Sequence, residues 1–283
     1  MTAEPDPSGG PVAHRCAVLG SPIAHSLSPA LHAAAYAELG LTGWSYGRAE
    51  VRADGLATFV DGLDATWRGL SLTMPLKVAV LELARVEVSA TAALAGAGNT
   101  LLLGDGRRRV ENTDVAGLVR AVRSVTSAPV TTITVVGSGA TARSAVVAAP
   151  ALGATTVQVL ARDPAKAAAL APLAATVGVE LAVPRWGDAP PAAGLLVSTV
   201  TAGAVDDQAE ALAGSAAVVF DVVYDPWPTA LAAAAARADV RVLDGLDLLV
   251  GQAVEQVELM TGRRPTAAVL RAAGDAALAA RAG

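Results

Sequence analysis

Seven short apolar runs recur along this chain of 283 residues: CAVLG (16–20), GLSLTM (69–74), TITVVG (132–137), TVQVLA (156–161), LLVSTV (195–200), VVFDVV (218–223) and VRVL (240–243). Most are separated by alanine-rich stretches of helical length. Unbroken apolar runs of this length are what strands buried on both faces require, and the intervening helices supply the crossovers that parallel strands need. The chain therefore reads as α/β, with helices laid on parallel sheets. Its composition agrees: 53% of residues are hydrophobic but only 3% aromatic, so the core is built from Ala, Val and Leu.

Local signals mark the elements. Ser28 and Pro29 open SPALHAAAYAELG, which Gly40 closes, and Asp163 with Pro164 opens DPAKAAALAPLAA; each start pairs a capping side chain with a first-turn proline. NTLLLGDGRRRVENTD reads as a hairpin turning at Gly104, Asp105 and Gly106, with Arg107, Arg108 and Arg109 as a solvated edge that discourages further strand pairing. A helix, DVAGLVRAVRSV, follows. The βαβ rhythm then runs from Thr131 to about Asp244, and GLDLLVGQAVEQVELMTG and PTAAVLRAAGDAALAARA are two closing helices expected to return to the first domain.

Charge and cysteine content narrow the function. A net charge of −5 argues against binding through a nucleic acid backbone. A single cysteine, Cys16, forms no internal disulfide, sits in an apolar run as a buried thiol, and fits a reduced, cytoplasmic protein. Three histidines without ligand spacing give no metal site, and the apolar stretches are too short for a membrane span. The first dozen residues, rich in Pro, Gly and acids, form a tail rather than a signal peptide.

The clearest binding motif follows TITVVG. Gly137, Ser138, Gly139, Ala140, Thr141 and Ala142 fit GxGxxA between a strand and a helix, the dinucleotide-binding context. Gly137 permits the tight turn, Gly139 leaves room for a pyrophosphate, and Ala142 lets the helix lie close to the sheet, while the free amides at the helix N-terminus face the phosphates. After TVQVLA come Arg162, Asp163 and Lys166, where this fold meets the adenosine ribose. An arginine there favours the extra phosphate, so NADP is preferred over NAD.

Three further segments concentrate polar residues. In SPIAHSLSP, Ser26 and Ser28 are two apart and would face one way if extended. In SLTMPLK, Pro75 stops a strand and places Lys77 at a helix start, where the dipole opposes it. In GNTLLLGDGRRRVENTD, Asn99–Thr100 and Asp114 stand at opposite ends of one hairpin, hence close in space.

In that order SPIAHSLSP, SLTMPLK, AGAGNT, ENTDVAG, the GSGATAR turn and LVGQAVEQ resemble the shikimate dehydrogenase family, over nearly everything from Cys16 to Thr261. With the βαβ rhythm and the composition of the first residues, the resemblance leads us to expect a flexible tail over 1–14, a substrate-binding catalytic domain from 15–113 plus 245–283, and an NADP-binding Rossmann-like domain over 114–244. It implies Lys77 and Asp114 as the catalytic pair: hydride leaves carbon for a nicotinamide while the hydroxyl proton passes to the lysine. Ser26 and Ser28 would meet the substrate carboxylate; Thr73, Asn99, Asp114 and Gln252 the ring hydroxyls; Tyr224 would lie near the carboxylate. Val200 and Gly245 join the cofactor set. The partner is a small molecule, shikimate or 3-dehydroshikimate, and the protein a monomer or homodimer.

The pattern also departs from the family. Ser71 stands where asparagine is common, Ala140 where a second glycine is frequent, and STVTAG (198–203) where NATSSG-like text is usual. Quinate/shikimate dehydrogenases, using NAD or NADP, share the motifs, and a catalytically silent NADP-binding regulatory protein is the alternative of another class. Such a module has no need of Lys77 and Asp114 together. His25 is expected to shape the serine loop and His32 to be packed or solvated.

Overall fold

The structure is a computed structural model that describes residues 12–104, 106–188 and 190–282. Asp105, at the expected hairpin tip, and residues 1–11 of the expected tail lie outside these. The chain divides into two compact units: residues up to Gly117 with those from Leu249 onward, and Leu118–Leu248.

The first unit contains β1 (His14–Gly20), α1 (Ser28–Glu38), β2 (Trp44–Glu50), α2 (Leu56–Asp61), β3 (Trp67–Leu72), α3 (Leu76–Ala79), β4 (Val86–Val88), α4 (Ala90–Ala95), β5 (Thr100–Gly104) and β6 (Arg107–Glu111). At its boundary starts α5 (Asp114–Val125). The strands form one sheet in the order β2-β1-β3-β5-β6-β4. This sheet is mixed rather than parallel, because the β5–β6 hairpin makes β5 antiparallel to β3 and β6. Leu19, Leu56, Leu70, Leu76 and Leu101 are wholly buried in its core, each such burial stabilising by about 1.5–3 kcal/mol.

Two sequence expectations are corrected here, and one strand is added that no apolar run announced. Strand β1 begins at His14, and Ala13 and His14 both donate to the Gly43 carbonyl, so the tail ends before residue 13. Arg107 to Arg109 do not form a sheet edge: β6 is interior, covered by β4, and Arg108 and Arg109 pair with Asp61 and Glu111 at 2.7 Å each. Strand β2 carries no apolar run, because as an edge strand it buries only Ala49 while its backbone pairs with β1 throughout.

The second unit contains β7 (Thr132–Val136), α6 (Ala140–Leu152), β8 (Thr156–Leu160), α7 (Pro164–Ala168), α8 (Ala171–Val177), β9 (Glu180–Ala182), β10 (Leu195–Ser198), α9 (Ala209–Gly214), β11 (Val218–Asp221), α10 (Ala230–Arg237) and β12 (Arg241–Leu243). Its sheet is parallel throughout, in the order β12-β11-β10-β7-β8-β9. Read from β9, that is the doubly wound order 3-2-1-4-5-6, whose switch point lies beside the first strand, β7. The single helix expected over DPAKAAALAPLAA is broken in two, because Pro172 lacks an amide hydrogen and fits only the first turn of α8, where none is needed.

Helix α11 (Gly245–Thr261) begins in the second unit and continues into the first, where α12 (Ala267–Ala282) packs on α1 and the Thr266 amide donates to Glu38 Oε2. No helix among the described residues is long and apolar enough to cross a membrane.

Candidate functional site

In the second unit, β7 delivers the chain to Gly137 with φ +110°, a conformation that L side chains rarely adopt; a Cβ there would also lie 2.4 Å from Thr199 Oγ1. Gly139 is the N-cap of α6 and faces open space, so a ligand can approach its backbone. Ala140 and Thr141 form the first helical turn, and Ala142 is wholly buried, which is how the helix comes to lie close on the sheet.

The turn opens on a pocket of roughly 350 Å³ whose lining includes Gly137, Ser138, Arg162, Lys166, Trp186 and Val200. The Arg162 guanidinium donates to the Ala204 carbonyl at 2.8 Å and sits 5.9 Å over the Trp186 ring. Asp163 commits one carboxylate oxygen to capping α7 through the Ala165 amide (3.0 Å). Two cations and an aromatic face beside a glycine turn suit a nucleotide with an extra phosphate. Gly245 does not line this pocket. It is a packing glycine, whose Cβ would fall 2.1 Å from the Val222 carbonyl oxygen. Trp186 was missed by the motif reading; its only signal was that it is one of four tryptophans in an aromatic-poor chain.

In the first unit, Lys77 Nζ donates to Asp114 Oδ2 at 2.5 Å, with side-chain exposures of 16% and 2%. Asp114 begins α5, and Asn112 Oδ1 accepts the Val115 amide in its first turn. The two ends of the hairpin meet as expected. Asn99 Nδ2 reaches Asp114 Oδ1 (3.0 Å), Thr113 Oγ1 (2.9 Å) and Gln252 Oε1 (2.7 Å), while Asn99 Oδ1 accepts the Thr113 amide at 2.8 Å. Lys77, Asn99, Asp114 and Gln252 are thus one cluster. Thr73 follows β3 with its amide bonded to the Leu19 carbonyl, and its Cγ2 occupies the space that a Cβ on Gly20 would fill.

Ser28 is not the cap of α1. The N-cap is Leu27, which has helical dihedrals, so strand-like alternation does not align the two serines. Instead Ser26 Oγ accepts the Ser28 amide at 3.3 Å. The loop carrying them is tied from outside, the Ala24 carbonyl accepting from Arg48 and the His25 carbonyl from Arg281. Tyr224 follows β11, half-buried, in the second unit.

The other titratable candidates are removed from this chemistry. His32 is wholly buried, stacked on Tyr46 at 3.8 Å with neither ring nitrogen hydrogen-bonded; burial drives its pKa down to about 3, only partly opposed by the Gln256 side chain. Burial pushes the Cys16 thiol up to about 12. The Tyr46 hydroxyl is pushed upward by burial, with the Ser71 and Ser28 hydroxyls opposing. Among the described residues no group of three or more His, Cys, Asp or Glu side chains could hold a metal.

A doubly wound sheet with a glycine turn beside two cations is dinucleotide-binding machinery, and a half-buried amine gripped by a carboxylate is machinery for moving a proton; together they define a dinucleotide-dependent α/β oxidoreductase. Residues 18–101 match the shikimate dehydrogenase substrate binding domain and residues 245–273 the shikimate 5'-dehydrogenase C-terminal domain, and the shikimate dehydrogenase (NADP(+)) of Methylobacterium radiotolerans is 40% identical over 89% of this chain and 92% of its own. The chain belongs to the shikimate dehydrogenase family.

Solved structures agree. The shikimate dehydrogenase of Mycobacterium tuberculosis superposes with a TM-score of 0.86 at 41% identity, covering 93% of this chain and 99% of that one. The shikimate 5-dehydrogenase of Thermus thermophilus, solved with NADP(H) and shikimate, gives 0.81 at 32% identity, covering 93% and 99%.

Proposed function

We propose that this protein catalyses the reversible, NADPH-dependent reduction of 3-dehydroshikimate to shikimate, a step toward chorismate and the aromatic amino acids. The observation that carries the reading is the Lys77–Asp114 contact, with Asn99 donating to the same carboxylate and to Gln252 Oε1. Residues 15–113 with 245–283 are assigned to the acid and 114–244 to the nucleotide. The protein acts in the cytoplasm, as a monomer or homodimer.

In the oxidising direction the Lys77 amine takes the proton of the ring hydroxyl as its carbon loses hydride; in reduction the Lys77 ammonium returns it. Bound NADP(H) supplies or accepts that hydride. Asp114 holds the amine in place and accepts from a neighbouring ring hydroxyl. Gln252 and Asn99 present amide groups to the remaining hydroxyls, with Thr73 beside them. Ser26 and Ser28 receive the carboxylate, and Tyr224 is assigned near it. Gly137 through Ala142 cradle the pyrophosphate, Arg162 and Lys166 meet the ribose phosphate, and Val200 shapes the nicotinamide side.

A quinate-type acid is the second reading, kept open by Ser71, where asparagine is common, and by Asp163 beside Arg162. Initial rates with shikimate and quinate, each with NADP and with NAD, test both. Turnover fastest with shikimate and NADP is expected; no turnover of either acid with either nucleotide excludes the assignment.

A further inference from the structure

The hydrogen bonds beneath the Lys77–Asp114 pair all run one way. The Tyr46 hydroxyl donates to Ser71 Oγ (2.6 Å), Ser71 Oγ to Gln256 Oε1 (2.9 Å), and Gln256 Nε2 to Thr100 Oγ1 (3.0 Å). Thr100 Oγ1 then donates to Asn99 Oδ1 (3.1 Å), and Asn99 Nδ2 to Asp114 Oδ1 (3.0 Å). Each group between the ends both accepts and donates, the hydroxyls of Ser71 and Thr100 through one oxygen and the amides of Gln256 and Asn99 through separate atoms, so each bond polarises the next, and the last ends on a carboxylate, where hydrogen bonds are strongest. From Ser71 onward all of them are buried, so no water competes for these atoms.

Backbone atoms set the direction. Gln256 Nε2 also lies 3.3 Å from the Asn99 carbonyl oxygen; a reversed amide would place oxygen against oxygen there. The Thr113 amide, donating to Asn99 Oδ1, fixes the second amide in the same way. At the far end the Tyr46 ring is stacked on His32, interplanar angle 18°, which aims its hydroxyl. Nothing in the proton transfer described above requires Gln256, yet its side chain is 185 residues from Ser71 in sequence and joins Ser71 to the cluster.

We propose that Gln256 is a positioning residue for the Lys77–Asp114 pair, acting through Thr100 and Asn99, with Ser71 and Tyr46 orienting it. The proposal rests on the dehydrogenase reading. Gln256 touches no reacting atom; it keeps Asn99, and through it the Asp114 carboxylate, in one orientation as the proton moves.

The test uses full-length enzyme with shikimate and NADP. Gln256→Leu keeps the volume and removes both bonding atoms; kcat is expected to fall tenfold or more, with KM for shikimate and the NADPH dissociation constant, read by fluorescence, within threefold of the parent. Gln256→Glu is the sharper probe. A neutral carboxyl accepts from Ser71 and donates to Thr100 as the amide does, whereas a carboxylate only accepts. The ratio of its kcat to the parent's should therefore fall from pH 6 to pH 9, a trend that mere filling of space would not produce. Tyr46→Phe, removing the first donor alone, should cost two- to fivefold. Gln256→Leu within twofold of the parent, or a flat Gln256→Glu ratio, overturns the proposal, and the Glu ratio decides where the Leu variant does not fold. A parent that turns over neither acid defeats the dehydrogenase reading instead.

Discussion

Gly117 and Gly251 pass each other too closely for either to carry a methyl group: a Cβ on Gly251 would lie 2.6 Å from the Gly117 carbonyl oxygen, and one on Gly117 would lie 2.6 Å from the Gln252 backbone nitrogen. The first turn of α5 and the middle of α11 thus meet backbone to backbone, with Asp114 three residues before one glycine and Gln252 directly after the other. Gly251→Ala is expected to cost about 1–3 kcal/mol of stability through overpacking and to lower kcat by moving Gln252 from Asn99. Urea denaturation and initial rates check this; an alanine variant with parental midpoint and rate would show that the contact is not needed.

Lys77→Ala should lower kcat by about 10²–10⁴-fold, the usual worth of a positioned acid–base group, with a much smaller change in KM. It also strands the Asp114 carboxylate, whose side chain is 2% exposed, without its cation, at a cost of about 3 kcal/mol. Adding Asp114→Asn removes the stranded charge. The double variant is therefore expected to regain stability and none of the rate; if stability does not return, the buried-charge account is wrong.

Arg162 and Trp186 should separate in their effects. Arg162→Ala is expected to raise KM for NADP by at least about tenfold while leaving NAD nearly unchanged, because only the former carries the phosphate an arginine fork grips. Trp186→Ala removes an aromatic face common to both nucleotides and should weaken each by about 1 kcal/mol. Titrating both nucleotides against both variants decides it; an equal loss for NADP and NAD in Arg162→Ala would reassign that residue.

His32 makes stability depend on acid. Its folded-state pKa of about 3 lies below the ordinary value of 6.5, so the neutral ring in the fold must gain a proton on unfolding. Its contribution is complete above pH 6.5 and is lost as pH falls toward 3, with a slope of about 1.4 kcal/mol per pH unit. In His32→Phe that slope should disappear from the pH dependence of the thermal midpoint between those values. A parental slope in the variant would assign it to other groups.

Cys16, buried at 2% exposure with its thiol pushed up to about 12, should resist alkylation at pH 8 in the native protein and react fully in denaturant. Rapid labelling without denaturant, followed by mass, would contradict its placement in β1.

Strands such as Thr132–Val136 and Leu195–Ser198 were legible because burial on both faces demands an unbroken apolar run. The polar edge strand Trp44–Glu50 and the three-residue strands Val86–Val88 and Glu180–Ala182 were not, since pairing at an edge is a backbone matter that leaves little mark on side chains. In the site, Asn99 and Asp114 could be brought together on paper because one hairpin joins them. Trp186 and Gln256 could not, because each meets its partners only across the fold.

The chain's own order of residues determined the α/β class, the glycine turn with its arginine, and the family motifs that single out Lys77 and Asp114, because periodicity, turn chemistry and short-range spacing are local properties. Tertiary structure alone decided that the hairpin pairs with β3 and so makes the first sheet mixed, that Arg108 lies on an interior strand, and that Gln256 reaches Asn99. Those depend on which distant backbone atoms are left to be satisfied once the core has packed, a question that no stretch of sequence answers by itself.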